Sequence, residues 1–225
     1  MKPLVITVDG PAGAGKTTIS RALADRLNYR YVDTGALYRG VAVALRSRGL
    51  DAGDASALAR LCRDLELDLV KRGDGLHILV DGRDITDQIR SPEIAMLASA
   101  VSAQPVVRNY LLTLQRSLGK ARAVVFEGRD MGTVVFPSAD VKFFLTADLS
   151  TRARRRFAEQ GAADGQSLQQ VMADMDCRDR NDSCRDVAPL KPAEDAIPID
   201  STHLDIDAVI DIMLGHVRRK TADGK

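Results

Sequence analysis

Residues 10–17 read GPAGAGKT: a glycine, four residues, then Gly-Lys-Thr. Residues of these types at this spacing are suited to holding phosphate. The glycines let the backbone curl until successive N–H groups face phosphate oxygens, and the N-terminus of a following helix adds partial positive charge. In such a loop Lys16 bridges the β- and γ-phosphates of a nucleotide and Thr17 becomes a ligand of Mg²⁺. Gly10, Pro11, Ala12, Gly13, Ala14, Gly15, Lys16, Thr17 and the adjoining Thr18 form the candidate nucleotide-binding stretch.

A second chemical cluster occurs twice. EGRD stands at 127–130 after AVVF, and DGRD at 81–84 after HILV. The first ends a run of core-strand type, so its polar residues are expected at the same carboxyl edge as the phosphate loop. The second ends a hairpin strand, where Asp-Gly is ordinary turn chemistry. Arg129 and Asp130 are therefore candidate ligand residues, and Arg83 and Asp84 are left to the turn. DTGALYR, residues 33–39, lies where a strand meets a helix, on the edge where open α/β sheets bind ligands. Tyr38 and Arg39 fall off the apolar stripe of that helix; they either reach a ligand or cover an exposed helix surface.

A phosphate loop implies a nucleotide and leaves the activity open. A GTPase switch would carry Asn-Lys-x-Asp, yet Asn28, Asn109 and Asn181 are followed by YRY, YLL and DSC. A transport or helicase ATPase would be larger and carry a coupling motif such as Leu-Ser-Gly-Gly, which the sequence lacks. A small-molecule kinase needs an acceptor pocket and arginines. If its acceptor is a phosphate, already mostly dianionic at neutral pH, arginine forks suffice and no base is required. If it is an alcohol, as in shikimate-type kinases, a carboxylate such as Asp33 must take the proton. A nucleotide-dependent switch or binding protein is the alternative outside the enzyme class.

The elements that must position these residues alternate. LVITV (4–8) is a β-branched run of a strand buried on both faces, and Ile19, Leu23 and Leu27 mark a helix over 16–27. YRYVD gives a strand, then a helix over 36–48 with Leu37, Val41, Ala44 and Leu45 as its stripe, ended by Gly49. From 63 to 104 the character changes: DLELDLV and LHILVD, joined by KRGDG, read as a β-hairpin in an insertion. A helix over PVVRNYLLTLQRSL returns the chain to strands at AVVFE (123–127) and VKFFLT (141–146). Polar, Arg-rich helices broken by GAADGQS fill 150–185, the composition of a mobile flap. AIPID is the last strand, and Ile206, Val209, Ile210, Met213, Leu214 and Val217 line a closing helix over 206–219. The class is α/β with a parallel sheet.

The chain has 225 residues, 45% hydrophobic and 28% charged, with a net charge of +1, so bulk attraction to nucleic acid or an anionic membrane is absent. Any anion site must come from local arginines, at Arg152, Arg154, Arg155 and Arg156 and at Arg178, Arg180 and Arg185; a solvated helix face is the alternative for such runs. Cys62, Cys177 and Cys184 lack zinc-ligand spacing, and His77, His203 and His216 do not cluster with them. LVITV is too short for a signal peptide and no transmembrane run occurs, so a soluble, cytoplasmic protein with reduced thiols is expected.

GPAGAGKTT, DTGALYR, EGRDMGTVVFP, RDRNDSCRDVAPL and AIPIDST, in this order, closely resemble the bacterial cytidylate kinase family from Ile6 to about Arg219. The resemblance implies a three-layer P-loop kinase fold on a five-stranded parallel sheet. It places the core at 1–62, 105–157 and 186–225, a nucleoside-monophosphate-binding insertion with the hairpin at 63–104, and an Arg-rich helical lid at 158–185. It implies phosphorylation of CMP and dCMP by ATP with Mg²⁺ in a monomer. Thr34, Arg108 and Asp130 would read the cytosine edge; Arg39, Arg129 and Arg185 would grip the acceptor phosphate, with Tyr38 alongside; Ser99, Arg178 and Asp182 would lie by the sugar. Lys16, Arg129, Arg178 and Arg185 would be catalytic. Thr17 would carry Mg²⁺, with Asp33 a further candidate through water and Glu127, where relatives also carry Asp, another acid near the ion. Arg152 and Arg156, one helical turn apart, are candidates for the ATP side, and the lid cysteines are incidental to the pattern.

Overall fold

The computed structural model describes residues 3–72, 75–160 and 166–222. Residues 73–74 of the hairpin turn and 161–165 of the break in the Arg-rich region lie outside the described residues. In chain order the elements are β1 (Val5–Asp9), α1 (Lys16–Leu27), β2 (Arg30–Asp33), α2 (Thr34–Ser47), α3 (Ala55–Asp64), β3 (Leu67–Arg72), β4 (Gly75–Val80), β5 (Arg83–Asp84), α4 (Pro92–Ser102), α5 (Pro105–Gly119), β6 (Val124–Gly128), β7 (Val141–Thr146), α6 (Leu149–Gln160), α7 (Leu168–Cys184), β8 (Ile197–Asp200) and α8 (Ile206–Ala222). They form two compact units, Met1–Val32 with Gly119–Lys225, and Asp33–Leu118.

The first unit is built on a five-stranded parallel sheet in the order β2-β6-β1-β7-β8. Its β-branched run puts β1 in the centre with all five residues buried. Ile6 and Val8 share an apolar cluster with Ile19 and Leu23 of α1 and with Val209, Ile210, Met213 and Val217 of α8. Ile206, expected on that stripe, opens α8 at 51% exposure, because the buried face begins at Val209. The register sets Asp9 beside Gly128 on one flank and beside Phe144 on the other. Parallel strands in register end together, so the phosphate loop after β1 and the Arg129-Asp130 pair after β6 leave the sheet at one edge.

The second unit packs around α2. Asp33 caps this helix, accepting from the Ala36 amide at 3.1 Å. Burial extends past the four-residue stripe to Ala36, Gly40, Ala42 and Val43. Gly40 has a steric reason: a Cβ there would lie 2.8 Å from both Leu67 Cδ2 and Ile78 Cδ1 of the hairpin. The helix α3, not expected from the sequence, has Ala57, Leu58, Leu61 and Cys62 as its buried face and Asp54 as its N-cap. Burial pushes the Cys62 thiol up.

Only half of the DGRD echo stays in the turn. Asp81 and Gly82 are the turn, with φ of 49° and 75°, as a two-residue hairpin connection requires. Arg83 and Asp84 have left it: Arg83 pairs with Val80 and Asp84 with Leu79, adding a short third antiparallel strand. Asp84 then holds Arg72 at 2.8 Å and the His77 ring at 2.7 Å. Hydrogen bonds from the Thr86 hydroxyl and amide, with His77, keep its carboxyl well below the usual carboxylate range.

Phe126 on β6 is fully buried, its ring 4.4 Å from that of Phe136. Phe126→Ala removes one of the largest fully buried side chains among the described residues, and it should cost about 3–5 kcal/mol. Urea unfolding checks this: the midpoint should fall with the slope unchanged.

Candidate active site

The phosphate loop begins where β1 stops. At Gly10 a Cβ would lie 2.0 Å from the Leu145 carbonyl oxygen, so the chain passes β7 only as glycine. Gly15, at φ 87°, starts α1 without any side-chain cap, which leaves the first-turn amides of α1 turned to an outside acceptor. Lys16 is buried and folds back over the loop, Nζ donating to the Pro11 carbonyl at 2.8 Å. Burial, and next the positive charge of Arg129, lower its pKa to about 7, against the pull of Glu127. Thr17 and Thr18 follow on the exposed side of the first turn, and Thr17 Oγ1 donates to Glu127 Oε1 at 2.8 Å. Those two oxygens suit a divalent cation carried on a polyphosphate, which takes few ligands from the protein and keeps phosphate and water oxygens for the rest.

The EGRD segment joins this loop through its own polar groups. Arg129 NH1 donates to the Gly10 carbonyl at 2.7 Å and its Nε to Asp182 Oδ2 on α7 at 2.9 Å. Asp130 is buried, with Arg185 NH2 at 4.0 Å. Arg185 Nε donates to the Ala188 carbonyl at 2.6 Å, and its NH1 is 3.8 Å from Asp182 Oδ1. Burial alone would raise Asp182, but Arg129, Arg178 and Arg185 more than offset it and hold the carboxyl below its usual range. Beyond Asp130 the chain makes a π turn over Met131–Val135. Asp9, the last residue of β1, accepts from the Met131 and Gly132 amides at 2.9 and 2.8 Å. Burial raises its pKa to about 6, even against those two amides.

Among residues expected at the site, the first unit thus gathers Lys16, Thr17, Glu127, Arg129, Asp130, Arg178, Asp182 and Arg185. In the second unit, Arg39 NH2 pairs with Asp33 Oδ2 at 2.7 Å, so both oxygens of Asp33 are engaged, one on this arginine and one on the Ala36 amide. Arg108 lies with its guanidinium 5.7 Å from the centre of the Tyr38 ring and donates to the Ser102 carbonyl at 3.0 Å. Thr34 is buried at the start of α2. Ser99 is half-buried on α4, its carbonyl accepting from Ser102 Oγ at 2.8 Å.

The arginine run on α6 divides by position. Arg152 is buried and donates from Nε to the Ala147 carbonyl at 2.9 Å and from NH1 to the Ala12 carbonyl at 3.0 Å. Arg155 holds Ser201 through its hydroxyl and carbonyl at 3.0 and 2.7 Å. Arg154 lies exposed, and Arg156 is only 3.8 Å from the exposed Glu159. Asp9, Asp179 and Arg155 have structural parts that the sequence motifs do not assign. The signals available were an acid closing a buried strand, and the second letter of Arg-Asp-x-x-Asp-x-x-Arg.

The family model for cytidylate kinase matches residues 6–219. The chain is 48% identical to the cytidylate kinase of Geobacter sulfurreducens over 218 residues, 96% of this chain and 94% of that one. It is 49% identical to that of Syntrophotalea carbinolica over 214 residues, 95% and 91% of the two chains. Among solved structures, a shikimate kinase from Bacteroides thetaiotaomicron superimposes with a TM-score of 0.51 at 14% identity, covering 96% of this chain and 98% of that one, which is a likeness of fold. With the phosphate loop, the Arg129-Asp130 edge and the matched family model in agreement, the chain belongs to the cytidylate kinase family.

Proposed function

We propose that this protein transfers the γ-phosphoryl group of ATP to CMP and dCMP, releasing ADP with CDP or dCDP. The observation that carries the proposal is the register of β1 and β6, which delivers Arg129 and Asp130 beside the loop that holds the donor. The acceptor phosphate needs no base at neutral pH, so the work of the protein is positioning and charge neutralisation. Lys16, Arg129, Arg178 and Arg185 supply positive charge in the first unit; in the second, Arg39, whose buried Nε has no hydrogen-bond partner among the described residues, is the candidate for the acceptor phosphate. For the cytosine edge the candidates are Asp130 in the first unit and Thr34 and Arg108 in the second, with Tyr38 beside Arg108. Ser99, Arg178 and Asp182 serve the sugar. The Asp130 carboxylate accepts the exocyclic amine of cytosine, and uracil would turn a carbonyl toward it.

Mg²⁺ bound with ATP would be held by Thr17, with Glu127 behind it and Asp33 considered only through water, and it would draw charge from the phosphate oxygens. An alcohol acceptor would require Asp33 as a base, and both its oxygens are already bonded. Residues 63–104 serve as the monophosphate-binding insertion and 158–185 as the lid. The protein works as a monomer in the cytoplasm; no helix among the described residues is long and apolar enough to cross a membrane.

ADP release with ATP, Mg²⁺ and each of CMP, dCMP, UMP, AMP, GMP and shikimate tests the function. Turnover should occur with CMP and dCMP; a flat response to both, or turnover with shikimate alone, overturns it. Asp130→Ala should raise KM for CMP about tenfold or more, the scale of a lost charged hydrogen bond, and narrow the advantage over UMP. Unchanged discrimination would place base recognition elsewhere.

The lowered pKa of Lys16 has a binding consequence. Polyphosphate favours the charged lysine, so its pKa rises on binding and a proton is taken up above about pH 7. ATP affinity should fall as pH rises from there, by at most about tenfold per unit. Calorimetry near pH 8, in buffers of different ionisation enthalpy, should show net proton uptake; none would contradict a neutral Lys16 in the free protein.

A further inference from the structure

Asp179 is the one acid of the Arg-Asp-x-x-Asp-x-x-Arg motif to which the proposed reaction gives no part. It lies on α7, three residues before Asp182, with its side chain largely buried. One oxygen accepts from the Ala12 amide in the phosphate loop at 3.3 Å, and the other pairs with Arg152. Arg152 in turn donates to the Ala12 carbonyl at 3.0 Å and to the Ala147 carbonyl, just past β7, at 2.9 Å. The N–H of Ala12 and its C=O are therefore both held by a single ion pair. One helical turn back on α7, Met175 meets the next loop residue: a Cβ on Gly13 would lie 2.6 Å from Met175 Cε and 3.0 Å from the Arg152 carbonyl oxygen. Ala12 also packs against the small apolar cluster of Ala153, Val171 and Met175.

We propose that Asp179 is a positioning residue for the donor nucleotide, fixing the phosphate loop through the Ala12 peptide with Arg152 as its partner. A glycine-rich loop has many backbone states, and holding it in one spares a ligand the ordering cost. The role is confined to the loop because the far end of α7 has its own ties. Asp182 is bound by Arg129, and Arg185 by the Ala188 carbonyl, without Asp179. Loss of Asp179 should therefore weaken the hold on nucleoside triphosphate and leave the acceptor side largely as it was. The same geometry removes Arg152 from direct contact with the donor, since its guanidinium is spent on backbone carbonyls and Asp179.

The proposal rests on the loop holding a nucleoside triphosphate, and its test is read first with ATP alone, so that it stays distinct from the identity of the acceptor. The dissociation constant of ATP with Mg²⁺, measured by calorimetry on the full chain, should rise about tenfold in Asp179→Ala, the scale of a lost charge-assisted hydrogen bond. Asp179→Asn keeps an oxygen for the Ala12 amide but turns an N–H toward Arg152, so it should recover only part of that loss. Arg152→Met should match Asp179→Ala, and the double variant should be no worse than either single one. In turnover, KM for ATP should rise while KM for CMP stays within about twofold of the wild type. ATP affinity unchanged in Asp179→Ala, equal rises in both KM values, or no rescue by Asp179→Asn would overturn the assignment. Tighter ATP binding would overturn it too, by showing that the carboxylate competes with phosphate. Wild-type protein that binds ATP but leaves CMP untouched would defeat the reaction proposed above and leave this test readable.

Discussion

The buried carboxylate of Asp9 is the interaction on which the site depends. It closes the central strand, and its two oxygens take the two amides that follow Asp130. One acid thereby joins the start of the phosphate loop to the turn that carries the candidate acceptor residues. Arg129 returns the tie from the other direction through the Gly10 carbonyl, and Thr17 adds a third link through Glu127. Gly132 is part of the same contact: a Cβ there would come within 3.1 Å of Thr7 Oγ1 and of Lys142 Cδ. Burying a charge is expensive unless donors surround it, and the rise of Asp9 to about 6 shows that two amides only partly offset that cost.

The rest of the first unit's electrostatics follows from gathering cations before any anion arrives. Burial, and next the charge of Arg129, weaken the proton's hold on Lys16, and a lysine can yield its proton where an arginine does not. Asp182 answers on the other side: it holds Arg129 at 2.9 Å and lies 3.8 Å from Arg185, and the charge of Arg178 acts on it as well. Under the proposed assignment these groups are aimed in advance at phosphate charge and need little reorganisation during transfer, the main source of catalytic power in phosphoryl transfer.

Much of this was legible in the chain. Buried strands and the Gly-rich loop are local patterns, so β1, α1 and the edge at Arg129-Asp130 could be read from letters and spacing. The two GRD echoes show the limit. The same letters leave the sheet beside the phosphate loop after a parallel strand, and form a turn leading into a third strand after a hairpin, where pairing with Val80 and Leu79 claims Arg83 and Asp84. Arg152, Arg154, Arg155 and Arg156 read as one basic run, yet one is buried on the loop, one holds Ser201 and two face outward. Their division depends on which side of α6 meets α7 and the phosphate loop, a tertiary fact without a sequence period. Asp9 was hidden for the same reason, because an acid at a strand end is informative only once the neighbouring turn is placed.

If Asp9 couples the loop to the reading turn, removing its carboxylate must loosen Asp130 without touching it. The most direct measurement is the ratio of kcat/KM for CMP over UMP in Asp9→Ala, on protein whose circular dichroism matches the wild type. Two buried amides left without acceptors should let the turn shift, and the ratio should fall by about tenfold. A ratio equal to that of the wild type would contradict the account.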